Sequence, residues 1–223
     1  MQNDLPRRLL AETLGSLLLA GVVIGSGVLA EQFASGNVAV ALLGNTLATA
    51  AILYVLIVAL GPISGAHFNP AVTLVMALRG ETRPADAALY MFAQIAGCVL
   101  GALLAHAMFE LPLLQLSAHT RTGPAQILSE SVATFALVFA ILMTARWRPE
   151  AIPVAVALVI TAGYWWTAST SFANPAITIA RALTDTFSGV RPADAPGFIA
   201  GQFAGGLLAL LVCAYLAPKR AAA

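Results

Sequence analysis

The chain has 223 residues, 60% hydrophobic and only 9% charged, with a formal net charge of +1. A soluble domain carries about 25% charged residues, so this chain cannot cover a water-facing surface, and lipid must solvate most of it. The near-neutral balance holds no basic cluster long enough for nucleic acid, which excludes that partner.

In chain order, Arg7 and Arg8 precede an apolar run from Leu9 to Ala30. Val28-Leu29-Ala30 mimics a signal-peptide cleavage site, but the run is too long for a signal core and contains Glu12, so it reads as a retained span. Further runs cover Val38–Leu60, Ala85–Phe109, Ile127–Ala145, Ile152–Ala168 and Gly197–Leu216. Each approaches the roughly 20 residues that cross a hydrocarbon core about 30 Å thick. Cys98 and Cys213 lie alone in such runs, without metal spacing, and read as small hydrophobes. No metal and no cofactor are expected. Gly21 and Gly25, Gly97 and Gly101, and Gly201 and Gly205 have the spacing that lets helices approach closely.

Two short segments interrupt this pattern and repeat each other. Ser64 to Thr73 reads SGAHFNPAVT, and Ser169 to Thr178 reads STSFANPAIT. Asn is a strong helix N-cap, and Pro fits the first helical position. Each segment therefore predicts a loop that turns into a short helix, over Pro70–Arg79 and Pro175–Leu183. Helices of that length cannot span, which suits re-entrant segments.

The flanking runs repeat as well. Glu12 in LAETLGS parallels Glu130 in LSESVAT, and Gln94 in AQIAG parallels Gln202 in GQFAG. Each half holds three spans, an odd number, so the second half enters the membrane upside down. The expected fold is an all-α membrane protein of six transmembrane helices and two re-entrant half-helices, an inverted repeat of about residues 9–109 and 127–216 within one channel domain over 1–223. With the N-terminus inside, inner segments hold Arg7, Arg8, Arg79, Arg83, Arg146, Arg148, Lys219 and Arg220, against Arg121, Arg181 and Arg191 outside. The positive-inside rule then places both termini in the cytoplasm of a cell inner (plasma) membrane.

The twin Asn-Pro-Ala segments, two intramembrane Glu residues and two Gln-x-x-Gly segments together resemble the aquaporin and glycerol-facilitator family, the major intrinsic proteins. The resemblance covers Leu9 to Leu216 and implies one pore per subunit in a homotetramer. It implies that Asn69-Pro70-Ala71 and Asn174-Pro175-Ala176 meet at the midplane, where their helix N-termini repel cations and the Asn side chains donate to a passing oxygen. The residues before each Asn are expected to be extended. Gly65, Ala66 and His67 on one side, and Phe172 and Ala173 on the other, would turn carbonyls toward the pore. Glu12 and Glu130, helped by Gln94 and Gln202, would brace those loops. A proton-coupling role for the two carboxyls is the competing reading. His67 has no second metal ligand at suitable spacing and reads as a loop-packing histidine.

One feature departs from the family. The position after the second Asn-Pro-Ala, usually Arg, is Ile177. Ungapped alignment puts the other filter positions on Thr49, Ala162 and Ser171. Three small groups and no fixed charge imply a wide opening that passes solutes larger than water, with the alternative of a water-selective aquaporin. An aliphatic residue at this position resembles a bacterial subgroup linked to arsenic detoxification, which implies glycerol and neutral or methylated arsenicals as solutes. Arg181, one turn outward from Ile177, is expected to snorkel to the interface, with a swing into the outer vestibule as the alternative, and Tyr164, Trp165 and Trp166 to form an aromatic belt, with a narrowing of the mouth by one of them as the alternative.

Overall fold

The structure, a computed structural model, describes residues 4–217; Lys219 and Arg220, used above for orientation, lie outside that range. It is all-helical, with no strand among the described residues. The elements are α1 (Leu5–Phe33), α2 (Val38–Ser64), α3 (Pro70–Leu78), α4 (Pro84–Met108), α5 (Pro124–Trp147), a 3-10 turn (Pro149–Ala151) leading into α6 (Ile152–Trp166), α7 (Pro175–Ala182) and α8 (Ala195–Leu216). Among the described residues, six stretches are long and apolar enough to cross a membrane: α1, α2, α4, α5, the 3-10 turn with α6, and α8. The other two, α3 and α7, have nine and eight residues.

Local chemistry sets the boundaries. Asp4 caps α1 by accepting the Arg7 N–H, and Asn37 caps α2 by accepting from Ala39 and Val40. Proline stands in the first turn of α4, α5 and α8, where its missing N–H costs nothing. Gly65 ends α2 with φ +88°, a left-handed cap that suits glycine. The helix runs four residues past the expected Leu60 and contains Pro62.

The two halves share one element order: long, long, short, long. In the first, α1 packs on α4; in the second, α5 packs on α8. Glycines make both contacts possible. A methyl group at Gly101 would collide with the Leu17 carbonyl, and one at Gly205 with the Ser131 carbonyl. Gly15 of α1 leaves the space that the Phe68 ring fills. Across the halves, α2 packs on α6, and the short helices α3 and α7 touch each other as well as α8 and α4. Large apolar side chains such as Leu43, Val58, Leu104, Leu158 and Leu211 remain exposed on the outside, the distribution expected where lipid is the solvent.

Candidate functional site

A cavity of about 390 Å³ runs through the middle of this arrangement. Arg8, Glu81 and Thr82 line one end of it, and Tyr164, Phe172 and Arg181 the other. Four long helices contribute stripes spaced four residues apart: Leu19 and Val23, Thr49, Leu53 and Ile57, Leu137 and Ile141, and Val156, Ile160 and Tyr164. Such stripes are single helix faces, so most of this wall is apolar. The opposite wall is the loop backbone before α3 and α7. None of the lining residues comes from α4 or α8.

The two loops are built alike. Asn69 accepts the Ala71 N–H on its Oδ1 and donates from Nδ2 to the Ala173 carbonyl at 2.7 Å. Asn174 accepts from Ala176 and Ile177 and donates to the Phe68 carbonyl at 2.8 Å. Each asparagine thus caps its own half-helix and clasps the other half. One amide hydrogen of each is committed to that clasp, so a single hydrogen per side chain is left for a passing oxygen. Phe68, not singled out in the sequence, supplies one of the two clasping carbonyls.

The loops are not extended throughout. Ala66 and Phe68 in the first, and Thr170, Ser171 and Ala173 in the second, have φ between 48° and 61°. The left-handed region costs an L-residue roughly 1–2 kcal/mol. It turns successive backbone N–H groups to one side and makes a cradle for an anion. Glu12 fills the first cradle. Its Oε1 accepts from Ser64 Oγ (2.6 Å) and the His67 N–H (3.0 Å), and its Oε2 from the Phe68 N–H (2.8 Å) and Gln94 Nε2 (2.7 Å). Glu130 fills the second in the same way: Ser169 Oγ (2.5 Å) and the Phe172 N–H (2.9 Å) on Oε1, the Ala173 N–H (2.8 Å) and Gln202 Nε2 (2.6 Å) on Oε2. Four donors match the roughly four acceptor sites of a carboxylate. Gln94 and Gln202 also donate to Thr73 and Thr178, the threonines of the repeated segments. The serines and threonines had a sequence signal, their fixed distance from each Asn, although their partners did not.

All five expected carbonyl-bearing residues, Gly65, Ala66, His67, Phe172 and Ala173, line the cavity, as do both asparagines. Pro70, Ala71, Pro175 and Ala176 are buried in the first turns of α3 and α7. Glu12, Glu130, Gln94 and Gln202 are fully buried and stand behind the loops, away from the cavity. The His67 ring contacts Thr73 Oγ1 through Nδ1 at 3.1 Å and packs edge-on to Tyr90. No cluster of His, Cys, Asp and Glu suited to a metal occurs among the described residues. A polar network missed in the sequence borders the end near His67: Arg8 donates to Tyr90 Oη and pairs with Asp86, and Tyr90 donates to the Ser64 carbonyl.

The four expected filter positions separate. Thr49, Ser171 and Ile177 line the cavity, but Ala162 is exposed on the far face of α6. From α6 the cavity receives Ile160 and Tyr164; Ala162 lies two residues from each, roughly 200° round the helix. Tyr164 is therefore buried, its hydroxyl 3.3 Å from Thr49 Oγ1, and only Trp165 and Trp166 are placed for a belt. Arg181 does not snorkel. It is 2% exposed, its Nε bonds the Ser188 carbonyl, and its guanidinium lies over the Phe172 ring, 3.3 Å from the centroid.

Two half-helices capped tip to tip beside a cavity, inside six spanning helices, define a class of multi-pass membrane proteins. The chain belongs to the major intrinsic protein family: the family model of that description matches residues 1–150. It is 54% identical to "Aquaglyceroporin AqpS" of Rhizobium meliloti (strain 1021) over 213 residues, covering 96% of this chain and 91% of that one. It is 33% identical to the "Glycerol uptake facilitator protein" of Bacillus subtilis (strain 168) over 59% of this chain and 52% of the other. The fold matches the X-ray structure of the aquaglyceroporin from Plasmodium falciparum with a TM-score of 0.71 at 19% identity, over 96% of each chain.

Proposed function

We propose that this protein is a passive channel for small uncharged polar solutes of glycerol size, with water passing too. One observation carries the reading. The cavity runs from Arg8 to Arg181 past both asparagine tips, with loop backbone on one wall and aliphatic side chains on the other. Such a wall replaces part of the hydration of a hydroxyl while accommodating carbon. A bare ion keeps most of its desolvation cost. The lining around Ser171 and Ile177 supports the same reading. Thr49, Tyr164 and Ser171 offer hydroxyls, whereas Ile177 and Phe172 offer apolar surface, a pairing that suits a molecule with both. Relatives named for aquaglyceroporin and glycerol-uptake activity support this solute class. Ile177 in place of a filter Arg supports neutral or methylated arsenicals as further solutes.

The twofold resemblance of the loops and their carboxylates supports an inverted repeat in one channel domain; the Lys and Arg distribution supports both termini in the cytoplasm of the plasma membrane, and membership of the family supports a homotetramer. The competing proton-coupled transporter is disfavoured by geometry. Glu12 and Glu130 are sealed behind the loops, and their oxygens are filled by loop and glutamine donors.

Stopped-flow light scattering on proteoliposomes with water, glycerol and arsenous acid tests the reading, comparing wild type with Ile177→Arg. The larger side chain and its charge are expected to lower glycerol and arsenous acid flux several-fold more than water flux. An unchanged glycerol-to-water ratio contradicts the placement of Ile177 at the narrow region.

A further inference from the structure

The two half-helices present the same three positions to the cavity. From α3 these are Asn69, Val72 and Met76; from α7 they are Asn174, Ile177 and Arg181. This spacing is one helix face. An apolar Met thus answers Arg181 in the other half, and a charge there is no requirement of the fold.

Arg181 is held rather than loose. Its Nε is fixed by the Ser188 carbonyl, and its plane rests on Phe172. Phe172 is in turn supported edge-on by Phe198 at 5.0 Å, with Arg121 5.3 Å from its centroid. Among the described residues, no carboxylate lies within ion-pairing distance of Arg181. Arginine keeps its proton in proteins, so the cavity wall carries a fixed positive charge held by a carbonyl and an aromatic face in place of an ion pair. A buried cation without a partner is costly. The surrounding residues hold this one against the cavity wall, one helical turn outward from Ile177.

Resting on the channel reading above, we infer that Arg181 is the specificity-determining residue that excludes cations, a fixed charge set one helical turn outward from Ile177. The displacement separates two duties. Ile177 leaves its position on the wall uncharged and open to carbon-bearing solutes, while Arg181 repels cations at the mouth before they reach the asparagine tips.

Urea and guanidinium, nearly equal in size and differing in charge, test this in proteoliposomes. Wild type passes urea and excludes guanidinium. Arg181→Met, which copies the residue of the other half, raises the ratio of guanidinium to urea flux at least tenfold. Arg181→Lys restores exclusion. If Arg181→Met does not reconstitute, Phe172→Leu removes the platform and leaves the charge in the chain, and guanidinium entry must rise there. Urea flux at wild-type level with unchanged guanidinium exclusion in these variants overturns the role of Arg181, as does free guanidinium entry in wild type. Wild-type liposomes no more permeable to urea and glycerol than bare lipid would instead overturn the channel reading.

Discussion

Glu130→Leu is expected to leave no conducting channel, with solute flux at the level of bare lipid. The carboxylate gathers the Ser169 hydroxyl, two loop N–H groups and the Gln202 amide. Without it, buried donors lose their acceptor at about 1–3 kcal/mol each. Leucine offers them nothing, and Phe172 and Ala173 then have no anion to hold the left-handed backbone at Ser171 and Ala173. Melting in detergent should fall by roughly 10 °C or more, since 1 kcal/mol shifts a chain of this size by about 2–4 °C. Glu130→Gln keeps the shape and one acceptor oxygen but sets an NH₂ group against donors, so its melting point should fall between those of wild type and the leucine variant. Glu12→Leu should behave as Glu130→Leu does, because its partners are the same in kind. A Glu130→Leu channel with wild-type flux and melting would show that the loops hold themselves.

Asn174→Asp is expected to fold and yet to conduct poorly. Aspartate still accepts from the Ala176 and Ile177 N–H groups and still suits a helix N-terminus. It cannot donate to the Phe68 carbonyl, so the clasp becomes two acceptors facing each other. The hydrogen offered to a passing oxygen disappears, and a negative charge now sits where two helix N-termini meet. Glycerol flux should fall at least about tenfold, the worth of 1.4 kcal/mol at the barrier, and cation leak should rise. Asn174→Ala separates the terms: it also loses the cap, at about 1 kcal/mol, but adds no charge, so its glycerol flux falls without a cation leak. Equal cation leak in the two variants would contradict the electrostatic part of this account.

What the sequence made legible was whatever the chain states twice. The six spans followed from hydropathy, and α3 and α7 from Asn-Pro within two matching segments. Glu12 and Glu130 stood out, as did Gln94 and Gln202, by repetition at matching places, and their shared bracing role came from the family resemblance. Features set by phase or by distance across the halves were not legible. Ala162 came from counting residues without knowing the rotation of α6, and its neighbour Tyr164 holds the position facing the cavity. Arg181 read as an interfacial cation because charge in lipid ordinarily escapes to water; Phe172 and the Ser188 carbonyl, which retain it, lie elsewhere in the chain. The left-handed residues Ala66, Phe68, Ser171 and Ala173 carry no signature, since none is a residue type that favours that region. The clasp between Asn69 and Ala173 depends on the two loops meeting, which no local pattern announces.

On the proposed reading, solute crosses by one conduit past Ser171 and the two asparagines. Ser171→Cys tests it with nearly no change in volume. Cys98 and Cys213 are buried and do not line the cavity, so they offer no competing target there. Glycerol flux into proteoliposomes is measured before and after a bulky methanethiosulfonate reagent, with labelling of the introduced thiol verified by mass. The variant is expected to conduct as wild type does and to fall to bare-lipid flux once labelled, while treated wild type is unaffected. Full flux through stoichiometrically labelled channels would place the passage elsewhere.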